Sequence, residues 1–301
     1  MRCTLCPRRC GVDRPEHARP GQGPGRCAMG WNPVLARAAL HTWEEPCISG
    51  NRGSGTVFFS GCGLQCVYCQ NAAISHDHFG REISVEQLRQ VFFDLIGQGA
   101  HNINLVNPTH FVPAISRAIG DGLPVPVVYN SSGYERLETL RLLEGKVDVY
   151  LPDLKYSDNA LAARLSDAPD YVEAATAAIA EMVRQCGGCQ YDDDGILTHG
   201  VIIRHLVLPG QLENTFNVID YVSEHYPDQV LFSLMSQYIP CGRADQFPDI
   251  NRVLTADEIE TAVHYFGMSD IEEGFIQQSE SAQALYIPPF DLEGVPHSPS
   301  L

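Results

Sequence analysis

Thr56-Val57-Phe58-Phe59-Ser60-Gly61-Cys62-Gly63-Leu64-Gln65-Cys66-Val67-Tyr68-Cys69-Gln70-Asn71 decides how the rest of the chain is read. Its first four residues are a β-branched and aromatic run that ends at Ser60-Gly61, the pattern of a short buried strand. The loop that follows carries three thiols at C-x3-C-x2-C spacing. Five more such runs lie downstream: Asn102-Ile103-Asn104-Leu105-Val106, Val125-Pro126-Val127-Val128-Tyr129, Val147-Asp148-Val149-Tyr150-Leu151, Val201-Ile202-Ile203-Arg204-His205-Leu206-Val207 and Val230-Leu231-Phe232-Ser233-Leu234. They alternate with amphipathic stretches at 85–97, 111–119, 135–144, 171–185, 215–225 and 256–266. Strand then helix, repeated, predicts a parallel α/β sheet. Periodicity leaves a doubly wound sheet and an incompletely closed barrel both open. In either, active sites gather at the C-terminal ends of the strands, where the thiol loop falls.

Composition bounds the function. Of 301 residues, 44% are hydrophobic and 19% charged, enough for one substantial core. The length allows two domains or a single barrel with a small appendage. Twenty Lys and Arg against 37 Asp and Glu give a net charge of −17, which repels phosphate backbones and anionic bilayers, so neither nucleic acid nor membrane is expected as a partner. No stretch approaches the ~20 apolar residues of a membrane span, and Met1-Arg2-Cys3 opens no signal-like run, so a cytoplasmic protein is expected. Eleven cysteines in a reducing compartment serve metals or redox chemistry more readily than disulfides.

Three units are expected: a Cys-rich irregular element over 1–54, the strand-helix body over 55–286, and an extended or disordered tail over 287–301 with Pro288, Pro289, Pro296 and Pro299. The first unit holds six prolines and little periodicity, so it needs a staple. Capping boxes are predicted at Ser84 with Gln87, Asp170 with Glu173, and Thr255 with Glu258. Gly187-Gly188 and Gly267 are read as helix ends.

Three close thiols suggest a shared metal, although buried Cys also packs as a small hydrophobe. Zinc or a rubredoxin-type iron needs a fourth protein ligand, and none lies beside this loop. A cubane 4Fe-4S cluster on three cysteines instead leaves one iron open for chemistry. Cys3, Cys6, Cys10 and Cys27 form C-x2-C-x3-C-x16-C, a set suited to zinc, iron or a second iron-sulfur cluster, or else free thiols. Arg8 and Arg9 would offset part of their thiolate charge. Cys186-Gly187-Gly188-Cys189 is read as a structural or redox-labile pair or as half a metal site; Cys47 and Cys241 as packing residues. His110 and His205 fall at strand ends, where His205 is either a pocket residue or a satisfied core histidine. Tyr238, after the sixth strand, is either a border of the strand-end site or wall packing.

The thiol loop, with Tyr68 just before the third cysteine, resembles the signature of the radical S-adenosylmethionine (SAM) superfamily. The resemblance implies a partial (β/α)6 barrel and a 4Fe-4S cluster on Cys62, Cys66 and Cys69 whose free iron chelates SAM. It also implies reductive cleavage of SAM to a 5′-deoxyadenosyl radical that abstracts hydrogen. Within the superfamily the chain looks most like the pyruvate formate-lyase activating enzyme group with a cysteine-rich N-terminus. Asp153-Leu154-Lys155 resembles its Asp-x-Lys element, and Arg204-His205-Leu206-Val207-Leu208-Pro209-Gly210 its Arg-x-x-x-x-Pro-Gly strand end. Asn130-Ser131-Ser132-Gly133 sits where relatives carry a polar Gly turn. By this resemblance Asn130, Asp153, Lys155 and Arg204 line the SAM pocket, with Tyr68 and Asn107 also at the cofactor. Many relatives end the second strand in a Gly-Gly-Glu turn, where this chain has Asn107-Pro108-Thr109-His110. The implied partners are an electron donor such as flavodoxin or ferredoxin and a protein substrate, a glycyl-radical enzyme. The alternatives are another peptide or small molecule as substrate, or a non-catalytic iron-sulfur or zinc electron carrier in which the Asp153, Lys155 and Arg204 group is an ordinary ion-pair cluster.

Overall fold

Buried runs of Val, Ile, Leu and Phe build the strands of a single sheet. The computed structural model, which describes residues 2–277 and 288–297, has β1 (Val34–His41), β2 (Ser54–Phe59), β3 (Arg81–Glu82), β4 (Ile103–Val106) and β5 (Val127–Ser131). Further along come β6 (Val149–Pro152), β7 (Gln190–Tyr191), β8 (Leu197–Leu206), β9 (Leu231–Met235) and β10 (Gly274–Gln277). The order is β10-β9-β8-β6-β5-β4-β2-β1-β3, with β7 beside β8. From β2 to β10 every pairing on this path is parallel. β1 and β3 extend the β2 edge antiparallel, and β7 pairs antiparallel with β8. This is an α/β fold with a mostly parallel, unclosed barrel sheet, and all six expected strands are in it. The additional parallel strand, β10, is only four residues long and alternates exposed with half-buried positions, too weak a pattern to read from sequence.

Strand side chains divide by face. Leu105, Tyr129, Tyr150, Ile203 and Phe232 join one core with Leu88, Val91, Ile115, Ile179 and Val218 of the surrounding helices. Their alternates Val128, Val149, Leu151, Ile202 and Leu231 form a second cluster inside the barrel. Helices Val85–Gly97 and Ala256–Gly267 start with the predicted capping boxes at Ser84 and Thr255. The box predicted at Asp170 does not form: Asp170 accepts from the Tyr134 hydroxyl, and Glu173 binds Asn159 across the turn. The helix expected over 135–144 is reduced to Leu137–Leu140 and a 3-10 turn, Arg141–Leu143. Gly187 caps its helix at a positive φ (+67°), whereas the helix Ala256–Gly267 is capped by Met268, one residue beyond Gly267. Helix Asn159–Ser166, started by the Asp158 side chain, is absent from the sequence reading.

Three segments outside the parallel repeat complete the barrel. After β1 the chain turns inward, and the short helix Pro46–Ser49 places Cys47 and Ile48 in the lumen cluster, plugging it. Where an irregular element is expected over 1–54, the structure gives β1 to the main sheet and leaves the region before it without regular structure. That region is tied down by Arg14, a buried guanidinium that donates to the carbonyls of Met29 (3.1 Å) and His110 (2.7 Å) and lies over the Trp31 ring. Where a tail is expected over 287–301, residues 288–297 run beside β1: Leu292 donates to Ala36, and Ala38 to Glu293. The remainder of that tail lies outside the described residues.

Candidate active site and metal centre

A cavity of about 300 Å³ opens where the parallel strands end. Phe58, Val106, Asn130, Leu206, Met235 and Gln277 reach it from the last turns of β2, β4, β5, β8, β9 and β10. Cys62, Cys66 and Cys69 line it, and so do Tyr68, Asn107, Asn130, Asp153, Lys155 and Arg204. Residues scattered over more than 140 positions of sequence therefore meet in one place.

The thiol loop is fixed by its neighbours. The Ser166 hydroxyl donates to Cys66 Sγ at 2.9 Å, and the Leu64 amide to Cys62 Sγ at 3.4 Å. Tyr68, Tyr156 and Ser166 join by their hydroxyls at 2.7 and 2.6 Å, so the Tyr68 ring is held against the loop. Burial, and then the proximity of Cys66 and Cys69, pushes the Cys62 thiol up; burial likewise pushes Cys69 up to about 11. Buried thiols that oppose one another's ionisation become thiolates readily only when a cation joins them. A thiol-only donor set on a cavity of this size fits an iron-sulfur cluster with space beside it for a ligand. Among the described residues no three Cys, His, Asp or Glu side chains, those of the two thiol sets included, stand close enough to share one metal ion.

Opposite the thiols lies an ion net. Arg204 donates through Nε to Asp153 Oδ1 at 3.0 Å and through Nη2 to Asn130 Oδ1 at 2.6 Å, and its Nη1 is 3.4 Å from Glu44 Oε2. Lys155 Nζ pairs with Asp153 Oδ2 at 2.5 Å. Burial alone would raise Asp153, but Lys155 and Arg204 hold its carboxyl below the usual range. Tyr171 fixes the turn from behind, its hydroxyl 2.8 Å from the carbonyls of Ser132 and Asp153. Asn107 adopts a left-handed backbone (φ +58°) and donates from its side chain to Gly61 O. Asparagine tolerates that region, so the turn after β4 forms without glycine.

The N-terminal cysteines adjoin the loop. Cys3, Cys6, Cys10 and Cys27 line one small space with Arg9, Arg14 and Arg26. Arg14 Nη1 is 3.8 Å from Cys3 Sγ, and the Arg26 amide 3.4 Å from Cys10 Sγ. Burial pushes Cys6 up to about 12. Gly61 (φ +83°) must lack a side chain, because a Cβ there would lie 2.6 Å from the Cys27 carbonyl; one at Gly63 would lie 3.5 Å from Cys6 Sγ. Arg8 Nε donates to Gly63 O at 2.8 Å.

The other candidates fall outside the cavity. His205 is a satisfied core histidine: Nδ1 faces Leu154 O at 2.7 Å, Nε2 faces Thr215 Oγ1 at 3.0 Å, and burial lowers it to about 4. His110 is buried with Nε2 2.7 Å from Ser60 O and is lowered by burial to about 3. Tyr238 packs its ring near Tyr68 and donates to Ile250 O, as wall packing. Cys186 donates to Asp148 O, and all eleven cysteines are free. Sequence reasoning missed Trp43, Glu44 and Glu45, which enter the cavity from the plug. A Glu-Glu pair ahead of Pro46 in a loop carries no periodic signal.

Fold and site together define a parallel α/β partial-barrel protein with a thiol loop and an ion net on one cavity. No family model matches the chain. It is 32% identical over 271 residues to uncharacterized protein MJ0674 of Methanocaldococcus jannaschii, covering 87% of this chain and 73% of that one. The chain belongs to the family of this archaeal protein. Among solved structures, HydG, a maturase of the FeFe-hydrogenase, superposes with a TM-score of 0.51 at 14% identity, covering 75% of this chain and 52% of HydG. SuiB of Streptococcus suis, solved with S-adenosylmethionine, gives a TM-score of 0.48 at 10% identity, covering 72% of this chain and 48% of SuiB. The chain thus spans about half the length of these two structures, and its likeness to HydG is one of fold. No helix among the described residues is long and apolar enough to cross a membrane.

Proposed function

We propose that the protein is a radical SAM enzyme. The observation that carries this reading is the convergence of three free cysteines and the Asn130, Asp153, Lys155 and Arg204 net on one cavity at the strand ends. A 4Fe-4S cluster, when bound, supplies the electron that cleaves SAM to methionine and a 5′-deoxyadenosyl radical. Cys62, Cys66 and Cys69 hold it, and Ser166 orients Cys66 by its hydrogen bond. Lys155 and Arg204 carry the positive charge that binds the SAM carboxylate, and Asn130 and Asp153 offer acceptors to the ribose hydroxyls. Asn107 and Tyr68 wall the same space.

The activating-enzyme reading is the finer form: a glycyl-radical protein as substrate and a flavodoxin or ferredoxin as cytoplasmic donor. Another peptide or a small molecule is the second choice of substrate. Cys3, Cys6, Cys10 and Cys27 are the candidate ligands of a second metal, zinc or iron-sulfur, whose place beside Gly63 suits passage of an electron to the loop. Anaerobic protein given dithionite and SAM is expected to release 5′-deoxyadenosine, and Cys66→Ala to release none. Absence of the product from fully reconstituted protein would overturn the reading and favour the non-catalytic carrier.

A further inference from the structure

The plug that closes the barrel lumen brings charge the SAM reading leaves unused. Trp43, Glu44 and Glu45 all face the cavity. Glu45 is 2% exposed, and among the described residues neither of its carboxylate oxygens has a hydrogen-bond partner. Asn104 on β4 and Ser233 on β9 are fully buried behind Glu44 and Glu45 respectively, near enough for their polar groups to offset part of the upward push that burial gives these carboxyls. A buried carboxylate on a cavity wall is costly unless it is neutralised or something in the cavity meets it.

The charge count says what that is. The cavity is lined by three carboxylates, Asp153, Glu44 and Glu45, and by two fixed cations, Lys155 and Arg204. Both cations are engaged, Lys155 on Asp153 and Arg204 on Asp153, Asn130 and Glu44. Arg204 also faces Glu45, so three carboxylates share two cations and the cavity wall carries one acid more than it has cations. Trp43, 60% exposed, stands in the same loop and lines the same cavity, where its ring can face a cation. The net charge of −17 draws cations toward it.

The geometry points to a subsite for an organic cation, an ammonium or guanidinium group of the substrate, bound by Glu45 at the cavity wall with Trp43 on the same wall. This inference rests on the radical SAM reading only in taking the rest of the cavity for SAM. It narrows the substrate class to molecules or peptides with a basic group near the carbon that loses hydrogen.

The probe is agmatine, which carries both an ammonium and a guanidinium, titrated calorimetrically into anaerobic, cluster-reconstituted protein at constant ionic strength, with and without saturating SAM. Agmatine is expected to bind one to one in both cases. Glu45→Gln, nearly isosteric, should weaken it by about tenfold or more. Trp43→Ala, at an exposed position, should weaken it less and serves as a second variant if Glu45→Gln folds poorly. Failure of agmatine to bind, or binding indifferent to both variants, overturns the inference. Mutual exclusion of agmatine and SAM also overturns it, by assigning Glu45 to SAM itself while the radical SAM reading stands. Glu45-dependent agmatine binding in a protein that takes no SAM would keep the cation site and remove the enzyme reading.

Discussion

The loop from Cys62 to Cys69 and the segment from Cys3 to Cys27 offer the same kind of ligand in different settings. The first opens on a cavity of about 300 Å³ with an ion net across from it; the second encloses a space of about 10 Å³ among arginines. The first hangs from a strand end inside a parallel sheet, whereas the second has no regular structure before β1 and is held by Arg14. Thiol number alone therefore does not separate the two sets. Open space and a fixed arrangement of charge beside the sulfurs do.

Four experiments can break or sharpen this contrast. The largest effect is expected at Cys66, where alanine should reduce SAM-dependent 5′-deoxyadenosine to background, while Cys10→Ala lowers bound metal and leaves measurable turnover with dithionite. Equal losses would erase the distinction between the two sets. Next is Arg204→Ala, which leaves Asp153, Glu44 and Glu45 without their shared cation. Breaking a buried pair in this way costs roughly 3–5 kcal/mol, read as a lower melting temperature, and SAM binding should weaken with it. Arg204→Lys should restore only part, since an ammonium cannot make the forked contacts to Asp153 and Asn130.

Glu135, buried between the barrel and the N-terminal segment, gives a pH test of their junction. Burial raises it from its ordinary 4.5 to about 7, against donors from Thr109 and Tyr129. Between these values the unfolded chain gives up the proton before the folded one does, so stability falls as pH rises from about 4.5 to about 7 and is level above. Glu135→Gln lacks that fall, and its urea midpoint should gain on the native protein across this window by the equivalent of roughly 3 kcal/mol. A constant difference from pH 4.5 to 8 would show that Glu135 ionises freely. The smallest effect is expected from Arg14→Met, which keeps the bulk and removes the donors to Met29, Gly30 and His110. A loss of roughly 2 kcal/mol, with earlier proteolysis before β1 than in the barrel, is the expected result.

The parallel body was legible because its strands are buried on both faces and read as continuous apolar runs, and because Ser84 and Thr255 announce their helices by local chemistry. The thiol loop and the residues of the ion net were legible from spacing and from resemblance, and the structure brings them to one cavity. Asp170 misled because its side chain found Tyr134, a partner 36 residues away that no local pattern predicts. β1 and the plug were hidden for a related reason. Leu35 and Ala38 are buried against a sheet formed later in the chain, and Glu44 and Glu45 acquire meaning only once the loop between β1 and β2 enters the lumen. β10 and Arg14 depend likewise on partners far off in sequence, Phe232 and His110 among them.

The central claim is that an open iron on Cys62, Cys66 and Cys69 meets SAM in this cavity. Its most direct test is the low-temperature electron paramagnetic resonance spectrum of the anaerobically reduced protein with and without SAM. The account predicts a reduced 4Fe-4S signal whose g-values shift when SAM is added and which is lost in Cys66→Ala. A cluster signal that SAM leaves unchanged, or zinc alone after careful reconstitution, would contradict it.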